Sequence, residues 1–201
     1  MSFTPIPSKP TRLNRSELFV PGSKVDLFKK AASSNADIIC LDLEDAVAPQ
    51  DKEQAKKNVI QALQEIDFGK KTISIRINGL DTHYCYRDVI DVMENAGERL
   101  DLIMIPKAGV PEDVYAIDML VTQVEDKVDR KKKIGFELIV ETSLGITNLD
   151  TIISGSKRVE SLHFGYADYA ASVRMRTTNI GGSNSDYSIL YYNPHFSSGW
   201  E

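Results

Sequence analysis

Residues 36–45 read Ala36-Asp37-Ile38-Ile39-Cys40-Leu41-Asp42-Leu43-Glu44-Asp45. A short run rich in Ile and Leu, with acids at its end, reads as a buried strand over 36–43 whose polar end meets solvent. The same grammar recurs on both sides of it. Before it, a strand over 16–21 is broken by Pro21-Gly22-Ser23, and Ser23 with Asp26 forms a capping-box pattern for a helix through Ser33. After it, Asp51 with Gln54 predicts another cap, and Ala55, Val59, Ala62, Leu63 and Ile66 follow at helical spacing. A strand over 72–77 precedes a helix over 86–96. A strand over 102–105 ends at Pro106, and Pro111 opens a helix with Val114, Ile117, Val121 and Val124 on one face. A strand over 134–140 leads to a helix containing Ile146 and Leu149. A strand over 161–164 runs into Gly165 and a short helix from Tyr169.

Six strand–helix units in succession predict a parallel sheet with helices outside it. An open doubly wound sheet and a (β/α)₈ barrel both fit this pattern. An eight-unit barrel takes about 250 residues. The chain has 201, and its last stretch, 179–201, is polar with no apolar strand. A barrel would therefore hold six of its eight units here, which reads as a C-terminally shortened chain. The domain reading is an extension over 1–14, barrel units over 15–178 and a polar tail over 179–201.

Composition narrows the function. The chain is 42% hydrophobic and 26% charged, a globular balance. A net charge of −5 argues against a general nucleic-acid binder. Two cysteines, Cys40 and Cys85, make no disulfide framework, which predicts a reducing cytoplasm. The first ten residues carry three prolines and no apolar core of a signal peptide, and no apolar stretch reaches the roughly 20 residues that span a bilayer.

Ligands of parallel α/β folds bind at the C-terminal ends of strands. Standing there are Asp42, Glu44 and Asp45, then Arg76 with Asn78, then Lys107, Glu141 and Asp168. Glu141 and Asp168, on neighbouring strands, can meet around one hard cation such as Mg²⁺. His83, His163 and His195 are scattered, which speaks against zinc. Each acid alone reads as a helix cap; the set converging with an arginine reads as a site. Arg76, inside an apolar strand, needs a partner, and Glu44 or Asp45 is the expected one. It also suits a carboxylate or developing oxyanion. Pro21-Gly22-Ser23-Lys24 suits an anion at a helix start only weakly, and a plain cap is the simpler reading. Lys131-Lys132-Lys133 falls on the opposite rim as a solvated turn. Gly181-Gly182-Ser183 follows no strand and reads as a surface loop.

Taken in order, these motifs resemble the citrate lyase β / HpcH-HpaI aldolase family. They are Leu18-Phe19-Val20-Pro21-Gly22-Ser23, Leu41-Asp42-Leu43-Glu44-Asp45-Ala46-Val47, Arg76-Ile77-Asn78-Gly79-Leu80-Asp81-Thr82, Ile103-Met104-Ile105-Pro106-Lys107, the Glu141 to Gly145 segment, and Gly165-Tyr166-Ala167-Asp168-Tyr169-Ala170-Ala171-Ser172. Thr177-Thr178-Asn179-Ile180-Gly181-Gly182 adds a likeness to the malyl-CoA / β-methylmalyl-CoA lyase branch. The resemblance implies a (β/α)₈ barrel assembled as a trimer or hexamer. It implies Mg²⁺, or Mn²⁺, on Glu141 and Asp168. It puts Arg76 on the 2-oxoacid or thioester oxygen, and Glu44 and Asp45 behind the metal. Phe19, Lys24 and Lys30 would contact coenzyme A, with Arg76, Ala167 and Asp168 completing the substrate-binding set. The implied reaction is reversible cleavage of malyl-CoA or β-methylmalyl-CoA to glyoxylate and acetyl-CoA or propionyl-CoA, with a CoA thioester and a 2-oxoacid as partners. Lys24 stands where relatives often carry arginine, which keeps a point charge for phosphate and loses the bidentate fork. The alternatives are a malyl-CoA thioesterase, a citramalyl-CoA lyase, or a non-catalytic chain that binds CoA esters.

Overall fold

The structure, a computed structural model, describes residues 11–175. The first ten residues and 176–201 lie outside the described residues, and with them the polar tail, the 177–182 motif, the Gly181-Gly182-Ser183 loop and His195. Six strands form one sheet: β1 (Glu17–Pro21), β2 (Ile38–Asp42), β3 (Thr72–Arg76), β4 (Leu102–Ile105), β5 (Gly135–Val140) and β6 (Val159–Phe164). They pair in the order β1-β2-β3-β4-β5-β6, every pair parallel. A doubly wound sheet reverses its strand order at a switch point. This sheet has no reversal, so the serial order is that of consecutive barrel units.

The helices that cover the sheet are α1 (Val25–Ala32), α2 (Lys52–Glu65), α3 (Cys85–Ala96), α4 (Pro111–Lys127), α5 (Ser143–Thr147), α6 (Leu149–Ile153) and α7 (Tyr166–Ser172). The expected caps of α1 and α2 are not formed. The turn before α1 closes on its own backbone, Lys24 N to Pro21 O at 2.9 Å, so Lys24 and not Ser23 takes the cap position, with no side-chain bond. Gly22 fits there because a Cβ would stand 2.9 Å from the Asp42 carbonyl oxygen. Asp51 ends a 3₁₀ turn, Pro49–Asp51, and so holds helical angles (φ −100°, ψ −6°) rather than the extended ones that aim a capping carboxylate. The helix expected to contain Ile146 and Leu149 is two helices, α5 and α6, meeting at Asn148, and Thr142 caps the first through Gly145 N at 3.0 Å. The last helix starts at Tyr166, three residues before the expected Tyr169.

Alternation along each strand sorts its residues to two faces. Ile39 and Leu41, Ile73 and Ile75, Ile103 and Ile105, and Phe136 and Leu138 join the main core under the helices. Cys40, Met104 and Ile139 form a separate cluster on the other face. That face is concave: His163 Nε2 on β6 comes within 3.5 Å of Glu17 Oε2 on β1, although those strands are unpaired.

The outer layer holds one charged group with no exposed surface. Arg158 donates to Asp118 Oδ1 at 2.7 Å and to Glu125 Oε2 at 2.7 Å, and all three side chains are fully buried. The trio ties the start of β6 to α4. Arg158→Met takes the guanidinium from two buried carboxylates, leaving Asp118 with the Ser156 and Thr122 hydroxyls and Glu125 with Ile134 N–H and Lys133. The expected result in urea unfolding is a loss of about 3–5 kcal/mol.

Candidate active site

Five carboxylates and two cations collect at the C-terminal ends of the strands. Arg76, the last residue of β3, reaches sideways to β2. Its Nε donates to Asp42 Oδ1 at 2.8 Å and its Nη2 to Asp42 Oδ2 at 2.5 Å, a bidentate pair in which Asp42 is fully buried. Register explains this partner, because Asp42 pairs directly with Arg76 across the sheet. Nη1 lies 3.1 Å from Glu44 Oε2, an oxygen that makes no hydrogen bond. The expected partner Asp45 is instead 59% exposed and faces Lys107. Phe19, half exposed on β1, lies under the guanidinium at 5.3 Å. Burial works against Arg76's charge, but Asp42 and then Glu44 outweigh it and hold the guanidinium above its ordinary range.

Lys107 is the hub of the rim. It follows β4 in the left-handed region at φ 55°, a strained setting for a residue with a side chain. That backbone turn has two results. Its N–H donates to Glu141 Oε1 at 3.0 Å, and its ammonium pairs with Glu44 Oε1. The same Nζ is 3.7 Å from Asp45 Oδ1 and 3.6 Å from Asp168 Oδ2. Burial pulls against the ammonium, while Glu44, Asp45 and Asp168 hold its pKa up.

Glu141 follows β5 and is buried. Gly165, which precedes α7, lies so close to it that a Cβ there would be 2.3 Å from Glu141 Oε2. Asp168, in the first turn of α7, is half-buried. Burial, followed by the charges of Glu44 and Asp168, pushes the Glu141 carboxyl up to about 7. Burial likewise raises the Glu44 carboxyl against the pull of Lys107 and Arg76. The donor set fits a hard dication: carboxylate oxygens, with more negative than positive charge around them. Glu141 and Asp168 would hold it.

Asp42 and Lys107 carry more of this geometry than their strand-end positions suggested. The signal for Asp42 was its parity with Cys40 on β2, which points it to the concave face opposite Arg76. Ala167 sits beside Asp168 in α7. Lys24 and Lys30 stand exposed on α1 and, among the described residues, neither pairs with an acid of the cluster. The lysines at 131–133 are not a free solvated turn. Lys132 pairs with Asp101, and Lys133 with Glu125 at 3.2 Å, both acids being buried. A cleft of about 930 Å³ lies at the opposite rim, between Arg12, Asp37, Phe68, Lys71, Arg99 and Asp101. Several of its charges are already paired: Arg15 with Asp37, and Arg12, Arg99 and Lys132 with Asp101.

A barrel-type parallel sheet with an acid-rich rim defines the class. Within it, the chain belongs to the HpcH/HpaI aldolase/citrate lyase family, whose model matches residues 15–184. It is 50% identical over 201 residues to an L-malyl-CoA/beta-methylmalyl-CoA lyase of Cereibacter sphaeroides, covering 100% of this chain and 63% of that relative. The chain thus spans less than two thirds of the length of this curated relative. Two solved structures share the fold. CitE from Mycobacterium tuberculosis, in complex with magnesium, acetoacetate and coenzyme A, has a TM-score of 0.65 and 22% identity, covering 87% of this chain and 56% of that one. Haloferax volcanii malate synthase, a lead(II) complex, has a TM-score of 0.72 and 20% identity, covering 81% and 53%.

The raised pKa of Glu141 sets the sign of a pH effect. A carboxyl whose folded pKa is about 7 against an ordinary 4.5 contributes stability that is full below pH 4.5 and is lost as pH rises through 7. Without added metal, Glu141→Gln is therefore expected to melt several degrees higher than the parent at pH 8, at about 2–4 °C per kcal/mol, and no higher at pH 4. Melting curves at the two pH values check this.

Proposed function

We propose that this chain carries the metal and thioester site of an acyl-CoA carbon–carbon lyase. Its reaction is reversible Claisen-type cleavage of malyl-CoA, or β-methylmalyl-CoA, to glyoxylate and acetyl-CoA, or propionyl-CoA. The observation that carries the reading is the juxtaposition of Glu141 and Asp168 about Lys107, beside an Arg76 locked by Asp42 and Glu44. The printed name of the Cereibacter sphaeroides relative and the magnesium and coenzyme A of the CitE complex support it.

Magnesium, or manganese, on Glu141 and Asp168 would polarise substrate oxygens as a Lewis acid. The chain's own groups do the rest. Arg76 keeps its charge and its orientation because Asp42 fixes two of its nitrogens. Its positive charge, shared with Glu44 through Nη1 at 3.1 Å, would face an oxygen on which charge develops when the Cα–Cβ bond breaks. Glu44 and Asp45 hold Lys107, which orients Glu141 through its backbone N–H. Phe19, on the far side of Arg76, gives an apolar surface to the thioester arm. Lys24 and Lys30, exposed and cationic, suit the phosphates of coenzyme A; Ala167 lines the path beside Asp168. The proposed boundaries place an extension at 1–14, barrel units at 15–178 and a tail at 179–201. The two cysteines, buried and free, suit a cytoplasmic protein. Among the described residues no helix is long and apolar enough to cross a membrane. The family likeness supports a homotrimer or homohexamer.

The protein that carries this chain, given malyl-CoA, is expected to release glyoxylate only with added Mg²⁺. Release of malate and CoA without glyoxylate would contradict the lyase reading and indicate a thioesterase. Asp168→Asn is expected to abolish turnover while melting within a few degrees of the parent. Arg76→Lys keeps a charge but loses the bidentate fork, so it should lower kcat by about 100-fold or more. Unchanged kinetics in either variant would remove that residue from the site.

A further inference from the structure

We propose that Glu17, Glu137 and His163 form a second, buried cation site on the concave face, one that takes a single Zn²⁺-like dication and fastens β1 to β6. One ligand atom from each lies within 4.8 Å of the others. His163 Nε2 is 3.5 Å from Glu17 Oε2 and 3.5 Å from Glu137 Oε1. Ligands at Zn–N and Zn–O distances near 2.1 Å, at the tetrahedral angle, stand about 3.4 Å apart. Both contacts to His163 match that spacing, and the third pair lies within 4.8 Å.

The state of the side chains also points to a ligand. Glu17's side chain is 10% exposed, yet neither of its carboxylate oxygens accepts a hydrogen bond, and His163 Nε2 is likewise buried and without one. Glu17 meets His163 only at the 3.5 Å limit of hydrogen-bond range, and buried carboxylates are ordinarily hydrogen-bonded or on a metal. Glu137, by contrast, is fully buried and already oriented. Ser74 Oγ donates to its Oε2 at 2.6 Å and Ser161 Oγ to its Oε1 at 3.2 Å, the kind of outer support that holds a metal-binding carboxylate.

The chemistry selects the ion. One imidazole nitrogen and two carboxylates suit a borderline dication with a small coordination number. Mg²⁺ gives up its waters reluctantly and is better served at the open rim. The two sites are separate. Along β5, Glu137 and Glu141 are four residues apart, roughly 13 Å at a strand's rise, with Ile139 of the Cys40–Met104–Ile139 cluster between them.

The test starts from a Glu141→Gln/Asp168→Asn double variant, which clears the rim. Loaded with Zn²⁺ and desalted, it is expected to retain one equivalent. With Co²⁺ it should show the intense visible bands of a low-coordinate ion and imidazole-nitrogen coupling by electron paramagnetic resonance. Glu17→Gln or His163→Gln in that background should weaken Zn²⁺ by more than the roughly 10–100-fold that a lost outer-shell partner costs. Circular dichroism confirms that each variant folds; should either fail, the nitrogen coupling in the double variant decides alone. Loss of all retained metal in the double variant, absence of nitrogen coupling, or affinity unchanged by both substitutions would overturn the proposal. The trio would then be two acids sharing a proton beside an imidazole.

Discussion

Each strand of this sheet pairs only with the strands before and after it in the chain, all parallel, and that constraint governs where every polar group goes. Serial parallel pairing needs a helix between successive strands, always on the same side. One face of every strand is therefore sealed by helices and must be apolar. The other face is shared by all six strands and is free to be polar. Cys40 and Asp42, Ser74 and Arg76, and Glu137 and Ile139 are the alternate residues that land there. The chemistry of the protein is confined to that face and its C-terminal rim.

At the rim the groups hold one another in tension. Arg76 is anchored to Asp42, and Glu44 divides its two oxygens between Arg76 and Lys107. Lys107 stands among acids where charge is in excess, and its left-handed backbone is what lets it touch both sides of the rim. Such preorganised charge is worth far more inside a partly closed site than in water. A second substituent at Gly165 would occupy the space that Glu141 uses, so even a methyl group is excluded from the floor of the site.

Strand positions were legible in the sequence because strands buried between layers must be short apolar runs. The run at 36–43 is β2 with its ends trimmed by two residues and one. Serial order was not legible in the run pattern, because a doubly wound sheet and a barrel use the same runs; the family motifs were what pointed to the barrel. The helix starts misled because the turn at Pro21-Gly22-Ser23 satisfies itself through the backbone, so Ser23 and Asp26 never make the box their spacing suggests. Glu44, Arg76, Glu141 and Asp168 were readable as rim residues from where their strands end. Glu44 was readable as a partner of Arg76; Asp42, which takes the bidentate bond, was not, since it depends on register between β2 and β3. Glu17 and His163 lie 146 positions apart and meet only because the sheet curls; their closeness is a property of the fold and leaves no local mark.

In the proposed lyase, Glu141 and Asp168 would hold the cation to which a CoA thioester is presented, with Arg76 beside it. The most direct measurement is anomalous diffraction from crystals soaked with Mn²⁺ and a non-cleavable malyl-CoA analogue. The expected result is a manganese peak at Glu141 and Asp168, with the analogue's oxygens between that peak and Arg76. A peak away from both carboxylates, or an analogue bound out of reach of Arg76, would contradict it.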